Sequence, residues 1–247
     1  MDVEYEKKYH RLEEDHWWFR GRRDILLQLV DKLNIKTDAA VLEIGCSGGA
    51  LMAQLKKKGF TDIKGIDTSQ VAVELAGERG IENVWVMDGA RLNFNDNSFE
   101  LLIASDVLEH IKDHEAALRE WYRVLKPGGR LIIFVPAFQF LWSAHDVANH
   151  HFRRYNMKTL TRLVQDAGFT IQRRSFWNAG LFPVTLLVRF IQNKFYRRSK
   201  PADNLKAVNQ TLNKALFNLL KTENRLLKQI NFPLGVSLFV VCSKEAG

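Results

Sequence analysis

From residue 40 onward, short apolar runs alternate with stretches of helical periodicity, and this alternation restricts the chain more than any other feature. Val41-Leu42-Glu43-Ile44 leads into a glycine turn and then Leu51-Met52-Ala53-Gln54-Leu55. Ile63-Lys64-Gly65-Ile66-Asp67 and Val84-Trp85-Val86-Met87-Asp88 follow as a second and a third strand, and residues 99–105 as a fourth. A helix over 115–125 and a turn at Pro127-Gly128-Gly129 precede a fifth strand over 130–136. A helix over 157–167 stops at Gly168, a sixth strand begins at Phe169, and a seventh spans 236–242. Strands separated by helices require right-handed crossovers, so the prediction is an α/β fold: a doubly wound, mostly parallel seven-stranded sheet.

The 247 residues give room for one large domain with an elaboration. Residues 1–36 read as a helical N-terminal region, with Ile25, Leu26, Leu29, Val30 and Leu33 at helical spacing. The core is assigned to 37–177 and 235–247. The 57 residues 178–234 are too many for a hairpin turn and are expected to form a helical insertion before the last strand.

Charge is unevenly placed. Of 36 basic and 28 acidic residues, 13 basic and 3 acidic fall in 170–247, which leaves 23 against 25 in 1–169. A basic C-terminal third suggests an anionic partner or a solvated basic face. Cys46 and Cys242 are too few for a disulfide framework, and the charged opening Met1-Asp2-Val3-Glu4 does not read as a secretory signal. The expected compartment is the cytoplasm, with membrane association left open by the basic insertion.

Ligands in a doubly wound sheet bind beyond the carboxyl ends of the strands. The first strand ends in Glu43-Ile44-Gly45-Cys46-Ser47-Gly48-Gly49, where missing side chains let the backbone approach a ligand. Asp67, 24 positions after Glu43, ends the second strand and is placed to accept from ribose hydroxyls. Asp88 ends the third and can accept from an adenine amine. Each carboxylate alone reads most simply as a helix cap; three in order at strand ends read as a nucleoside cleft.

These segments resemble the class I S-adenosylmethionine-dependent methyltransferases of the small-molecule branch. Residues 41–49 match the family's first motif, with Ser47 where a middle glycine is usual. Gly65-Ile66-Asp67-Thr68-Ser69, Asp88-Gly89-Ala90, Ser105-Asp106-Val107-Leu108-Glu109-His110-Ile111 and Leu125-Lys126-Pro127-Gly128-Gly129 match later motifs in order. The resemblance implies a Rossmann-like fold, S-adenosyl-L-methionine as cofactor, and Glu43, Gly45, Cys46, Ser47, Gly49, Asp67, Thr68, Asp88, Gly89, Ala90, Ser105 and His110 as its contacts. A nicotinamide dinucleotide would want G-x-G-x-x-G to hold pyrophosphate, and residues 45–50 lack that spacing.

The implied reaction is in-line displacement at the cofactor methyl, toward a small-molecule or lipid-linked acceptor. Should the acceptor need a base, His145 and His151 are the candidates. Arg153, Arg154 and Tyr155 form a candidate clamp for a phosphate or carboxylate. His145, Asp146 and His150 lack convincing ligand spacing, and no metal is expected. Trp17, Trp18 and Arg23 are expected to form a lid over the methionine end of the cofactor, so deleting residues 1–23 should weaken cofactor binding.

Residues 175–188 carry no charge but are too few to span a bilayer, and 189–200 hold five basic residues and no acid. That pairing suits peripheral contact with an anionic membrane, or a buried helix with a basic edge. Leu205, Val208, Leu212, Leu216, Leu219, Glu223, Leu226 and Ile230 read as one packing face, with homodimerisation as its second use. Other functions are a nucleic-acid methyltransferase, for which no Asn-Pro-Pro-Tyr-type motif is present, and a cofactor-binding regulator without methyl transfer.

Overall fold

A computed structural model describes residues 12–195 and 208–246; side chains of 193–195 fall outside the description. The charged residues 1–8, Leu205 and the basic run 196–200 therefore lie outside the described residues, as do the side chains of Lys194 and Phe195.

The seven strands are β1 (Ala40–Ile44), β2 (Asp62–Asp67), β3 (Val84–Val86), β4 (Phe99–Ser105), β5 (Leu125–Pro136), β6 (Thr170–Trp177) and β7 (Ser237–Ser243). They form one sheet in the order β3-β2-β1-β4-β5-β7-β6. All neighbours from β3 to β5 pair in parallel, whereas β7 is antiparallel to both β5 and β6. The doubly wound, mostly parallel sheet is thus present. The turn expected at 127–129 lies within β5: Phe99 pairs with Leu125 and Leu101 with Arg130, so residues 126–129 loop out of register.

The helices are α1 (Trp17–Lys32), α2 (Ala50–Lys57), α3 (Gln70–Glu78), α4 (His114–Val124), the short α5 (Ala144–Ala148), α6 (Met157–Asp166), α7 (Phe182–Phe195) and α8 (Gln210–Leu227). Side chains alternate across a strand, so each central strand feeds two cores. Leu42, Leu102, Leu131, Ile133 and Val240 join Trp121 and Leu160 on one face. Val41, Leu101, Ile103, Ile132 and Phe239 join Ile25, Leu29, Leu55 and Leu220 on the other. The second half of α1 therefore belongs to the packed core, and a covering role falls to the residues before it.

The predicted packing face of α8 is met only in part. Glu223 is buried as a member of it, but Leu212, Leu219, Leu226 and Ile230 are exposed, and Leu220, Asn224 and Leu227 take the other buried positions. Buried polar atoms need partners, and Asn224 supplies them. Its Nδ2 donates to the Gly21 carbonyl (2.9 Å) and to Asp24 (2.8 Å), and its Oδ1 accepts from the Trp177 indole (2.8 Å). The Glu223 carboxylate accepts from the backbone N–H groups of Ala179 and Gly180, each at 3.0 Å. These bonds fix the buried face and tie the insertion to α1 and β6. No helix among the described residues is long and apolar enough to cross a membrane.

Candidate active site

A cavity of about 940 Å³ opens beyond the carboxyl ends of β1, β2 and β4, where strand order reverses. Gly45 follows β1 with φ +71°; a Cβ there would sit 2.3 Å from Val107 Cγ2, so only glycine meets both the conformation and the space. Ser47, standing where a glycine is usual, also adopts positive φ (+49°). Its N–H donates to Asp67 Oδ2 at 2.9 Å and its hydroxyl to Glu13, contacts that offset the left-handed backbone. Gly49 is displaced from the cavity: it caps α2 and packs against Ala76.

Glu43 lies on the α1 face of the sheet and is buried, and its Oε2 has no hydrogen-bond partner among the described residues. Burial pushes its pKa well above the usual carboxylate range, and Glu13 and Asp67 add repulsion while Arg23 opposes them. A buried acceptor at the wall of a cavity suits a cationic ligand group. Asp67, Thr68, Asp88, Gly89, Ser105 and His110 line the same space. Ala90 does not; its N–H donates to Asp88 Oδ1 (2.8 Å) and shapes the turn. Cys46 lines the cavity, but its sulfur is buried against Gly65, and burial first, then Glu43 and Asp67, push the thiol pKa up, so it is no nucleophile.

The residues before and at the start of α1 cover this end. Trp17, Trp18 and Arg23 all line the cavity. Arg23 donates to the carbonyls of Glu13 and Glu14, each at 2.7 Å, while Arg79 bridges Glu14 and the Gly48 carbonyl. Arg22, overlooked in the sequence, is central. Its guanidinium lies 4.2 Å from the rings of both Phe134 and Trp177 and donates to Asp106 (3.3 Å) and Ser237 (2.9 Å). Burial lowers its pKa to about 10, against the attraction of Asp106 and Glu109.

The opposite end of the cavity holds histidines. His145 and His151 both line it, with ring centroids 6.1 Å apart, and His110 lies 4.5 Å from His151. Asp146, fully buried, organises this end. Its carboxylate accepts from Ser143 N (2.8 Å), from Arg154 Nε (2.7 Å) and Nη2 (3.0 Å), and faces His151 Nδ1 at 3.0 Å. Burial would raise its pKa, but the hydrogen bonds from His151 and Arg154 hold it well below the usual range.

The clamp expected from residues 153–155 is not assembled. Arg154 lines the cavity with its guanidinium committed to Asp146 and the Ala137 carbonyl. Arg153 turns away to the Lys112 carbonyl (2.7 Å), and Tyr155 is buried, its hydroxyl 2.9 Å from His114 and bonded to the Leu108 carbonyl. Neighbours in an extended segment point to opposite sides, which separates the two arginines. Among the described residues, the cation that faces the cavity from the insertion is Arg189, whose Nη1 donates to Gln192 and whose Nε has no hydrogen-bond partner there.

Residues 42–133 match the model of the methyltransferase domain family. The chain is 26% identical to phosphoethanolamine N-methyltransferase 1 of Arabidopsis thaliana over 66% of this chain and 35% of that protein. It is 32% identical to demethylmenaquinone methyltransferase of Corynebacterium efficiens over 53% and 56% of the respective lengths. Among solved structures, a SAM-dependent methyltransferase of Thermotoga maritima superposes with a TM-score of 0.62 at 21% identity, covering 98% of both chains. This chain spans about a third of the length of the Arabidopsis relative it matches.

Proposed function

We propose that the chain is a class I S-adenosylmethionine-dependent methyltransferase, a reading supported by the methyltransferase-domain match over residues 42–133 and by the methyltransferase relatives, and that it methylates a small amphipathic or lipid-linked acceptor bearing an anionic group. The observation that carries this reading is a single cavity running from the carboxylates at the strand ends to the histidines around Asp146. Glu43 Oε2, buried and unpartnered, fits the cationic amino group of the cofactor. Asp67, the last residue of β2, and Asp88, two residues past β3, fit the ribose and the adenine. Once bound, S-adenosylmethionine supplies an electrophilic methyl with a neutral thioether as leaving group.

The protein's contribution is alignment and exclusion of water. Trp17, Trp18 and Phe19 line the same cavity as the carboxylates, as do Ser105, Asp106 and the histidines. His145 and His151 are placed to take a proton from the acceptor, with Asp146 fixing the ring of His151 through Nδ1. Arg189 is the residue we assign to the acceptor's anionic group, in place of Arg153 and Tyr155. Its helix supports an apolar tail: Val184, Leu187 and Phe190 of α7 are all more than half exposed. The exposed leucines of α8 extend the same apolar character and suit contact with a membrane surface.

Calorimetry with S-adenosylhomocysteine tests the first half of this reading, and a folded protein giving no binding heat would end it. Incubation with methyl-labelled cofactor and a pooled extract of polar metabolites and lipids tests the second. Label in a lipid fraction, abolished by Arg189→Gln, is the expected result. Label in nucleic acid would replace the proposed acceptor. Co-sedimentation with anionic vesicles at low salt tests the membrane contact, and a second copy of the chain covering α8 would appear instead as a dimer in size-exclusion chromatography.

A further inference from the structure

Glu109 is the carboxylate of the cavity that the described residues leave unanswered at both oxygens, where Glu43 lacks a partner at one. It is completely buried, and neither carboxylate oxygen has a hydrogen-bond partner among the described residues. Of the guanidinium groups nearby, Arg22 donates to Asp106 and Ser237 and Arg154 to Asp146; both attract Glu109, but neither hydrogen-bonds to it. A buried carboxyl group without a partner can carry its charge only against a counter-charge or a ligand. Two imidazoles lie beside it. One nitrogen of His110, one of His151 and one oxygen of Glu109 all fall within 4.8 Å of one another.

These groups come from two segments that the backbone fastens together. Glu109 and His110 sit on the single 3-10 turn Leu108–His110 after β4, and His151 follows α5. The Phe152 N–H donates to the Glu109 carbonyl at 2.8 Å, which holds His151 against that turn. The ring of His151 is oriented as well. Its Nδ1 faces Asp146, and Asp146 is itself fixed by Ser143 and Arg154, so Nε2 is directed away from that network. A carboxylate behind one ring nitrogen, with the other nitrogen presented forward, is how proteins prepare an imidazole to bind a metal.

We infer that Glu109, His110 and His151 form a site for a divalent first-row transition cation, facing the cavity end where the acceptor is placed. Two imidazoles and one carboxylate suit Zn²⁺, Co²⁺ or Mn²⁺, whereas Mg²⁺ and Ca²⁺ prefer all-oxygen shells. Three protein ligands leave coordination positions open, and all three residues line the cavity. A cation there would take an oxygen or nitrogen of a bound acceptor as a further ligand and make its proton easier to lose. His151 would then serve as a ligand, and His145 would remain as the base. The site is not legible along the chain, because His151 is far from Glu109 in sequence and is brought beside it by the Phe152 bond and the contact between the His110 and His151 rings.

The test uses the full chain after dialysis against chelator, with Co²⁺ alone as the probe. Visible d–d absorption should saturate at one equivalent, and Zn²⁺ should abolish it by competition, with metal content confirmed by elemental analysis. Glu109→Gln keeps the shape of the side chain, and His151→Ala removes an imidazole; each should weaken Co²⁺ binding at least tenfold. Circular dichroism establishes that both variants are folded. The proposal is overturned if the folded wild type takes up no cation at tens of micromolar, or if both variants bind it as tightly as the wild type. Metal uptake needs no S-adenosylmethionine. A protein that binds Co²⁺ at this site but no S-adenosylhomocysteine would therefore refute the methyltransferase reading alone.

Discussion

At the end of the cavity where β1, β2 and β3 stop, the contacts come from backbone geometry and from carboxylates fixed by their position on strands. Gly45 and Ser47 bend the chain, and Glu43, Asp67 and Asp88 follow from where each strand ends. At the end beyond β4 and β5, the contacts come from a network of side chains gathered from the turn at Leu108–His110, from α5 and from the loop after it. The first end depends on main-chain conformation. The second is held by charges buried against one another, so its integrity and the fold's stability are one question.

That contrast can be broken most directly at Asp146. Asp146→Ala would strand Arg154 and His151 without their partner and should cost ~3–5 kcal/mol of stability, as loss of one member of a buried pair does. Urea denaturation measures this, and a loss below ~1 kcal/mol would mean that the network is dispensable. Gly45→Ala attacks the other end. The left-handed backbone costs a Cβ about 1–2 kcal/mol, and the close approach to Val107 adds to it. Calorimetry should show S-adenosylhomocysteine affinity lower by about ten- to a hundredfold. A variant that binds normally would show that the turn can move aside.

Smaller effects sharpen the comparison. Glu13→Ala removes the acceptor of the Ser47 hydroxyl; losing one such bond should cost ~1 kcal/mol of cofactor affinity, about fivefold. It is a cleaner probe of the lid than deleting residues 1–23, which would also remove Arg22 and Gly21 from the packed interior. An unchanged affinity would dismiss the covering role of Glu13. Ser47→Gly both relieves the left-handed backbone and loses the hydroxyl contact, and these opposing changes should leave affinity within about 1 kcal/mol. A large loss would assign the hydroxyl a direct ligand contact.

The cofactor end was legible in the sequence because its determinants are local. An acid at the end of an apolar run, or a glycine just after it, keeps that relation in the fold, and the alternation of β1, β4 and β5 sorted itself onto two faces as period two requires. The histidine end was only half legible. His145 and His151 reached the cavity, but Arg153 and Arg154, adjacent in sequence, separated because one answers to Lys112 and the other to Asp146. Glu109 was invisible as a separate feature, since its isolation depends on which bases have already been claimed. On α8 the spacing suggested one face, of which Glu223 is buried where the backbone at Ala179 and Gly180 answers it, yet Asn224 in place of the leucines joins it because Trp177 and Gly21 supply its partners. Amphipathic periodicity counts apolar residues and has no means of knowing where a polar one will be satisfied.

The place of β7 in the sheet has a consequence for how the protein is made. It lies between β5 and β6, although the whole insertion separates it in sequence from β6. During synthesis β5 and β6 emerge with a gap between them, and neither gains that neighbour until residues 237–243 have left the ribosome. Until then the open strand edges invite mispairing, so translation speed across the insertion should bear on yield more than codon choice within the parallel half.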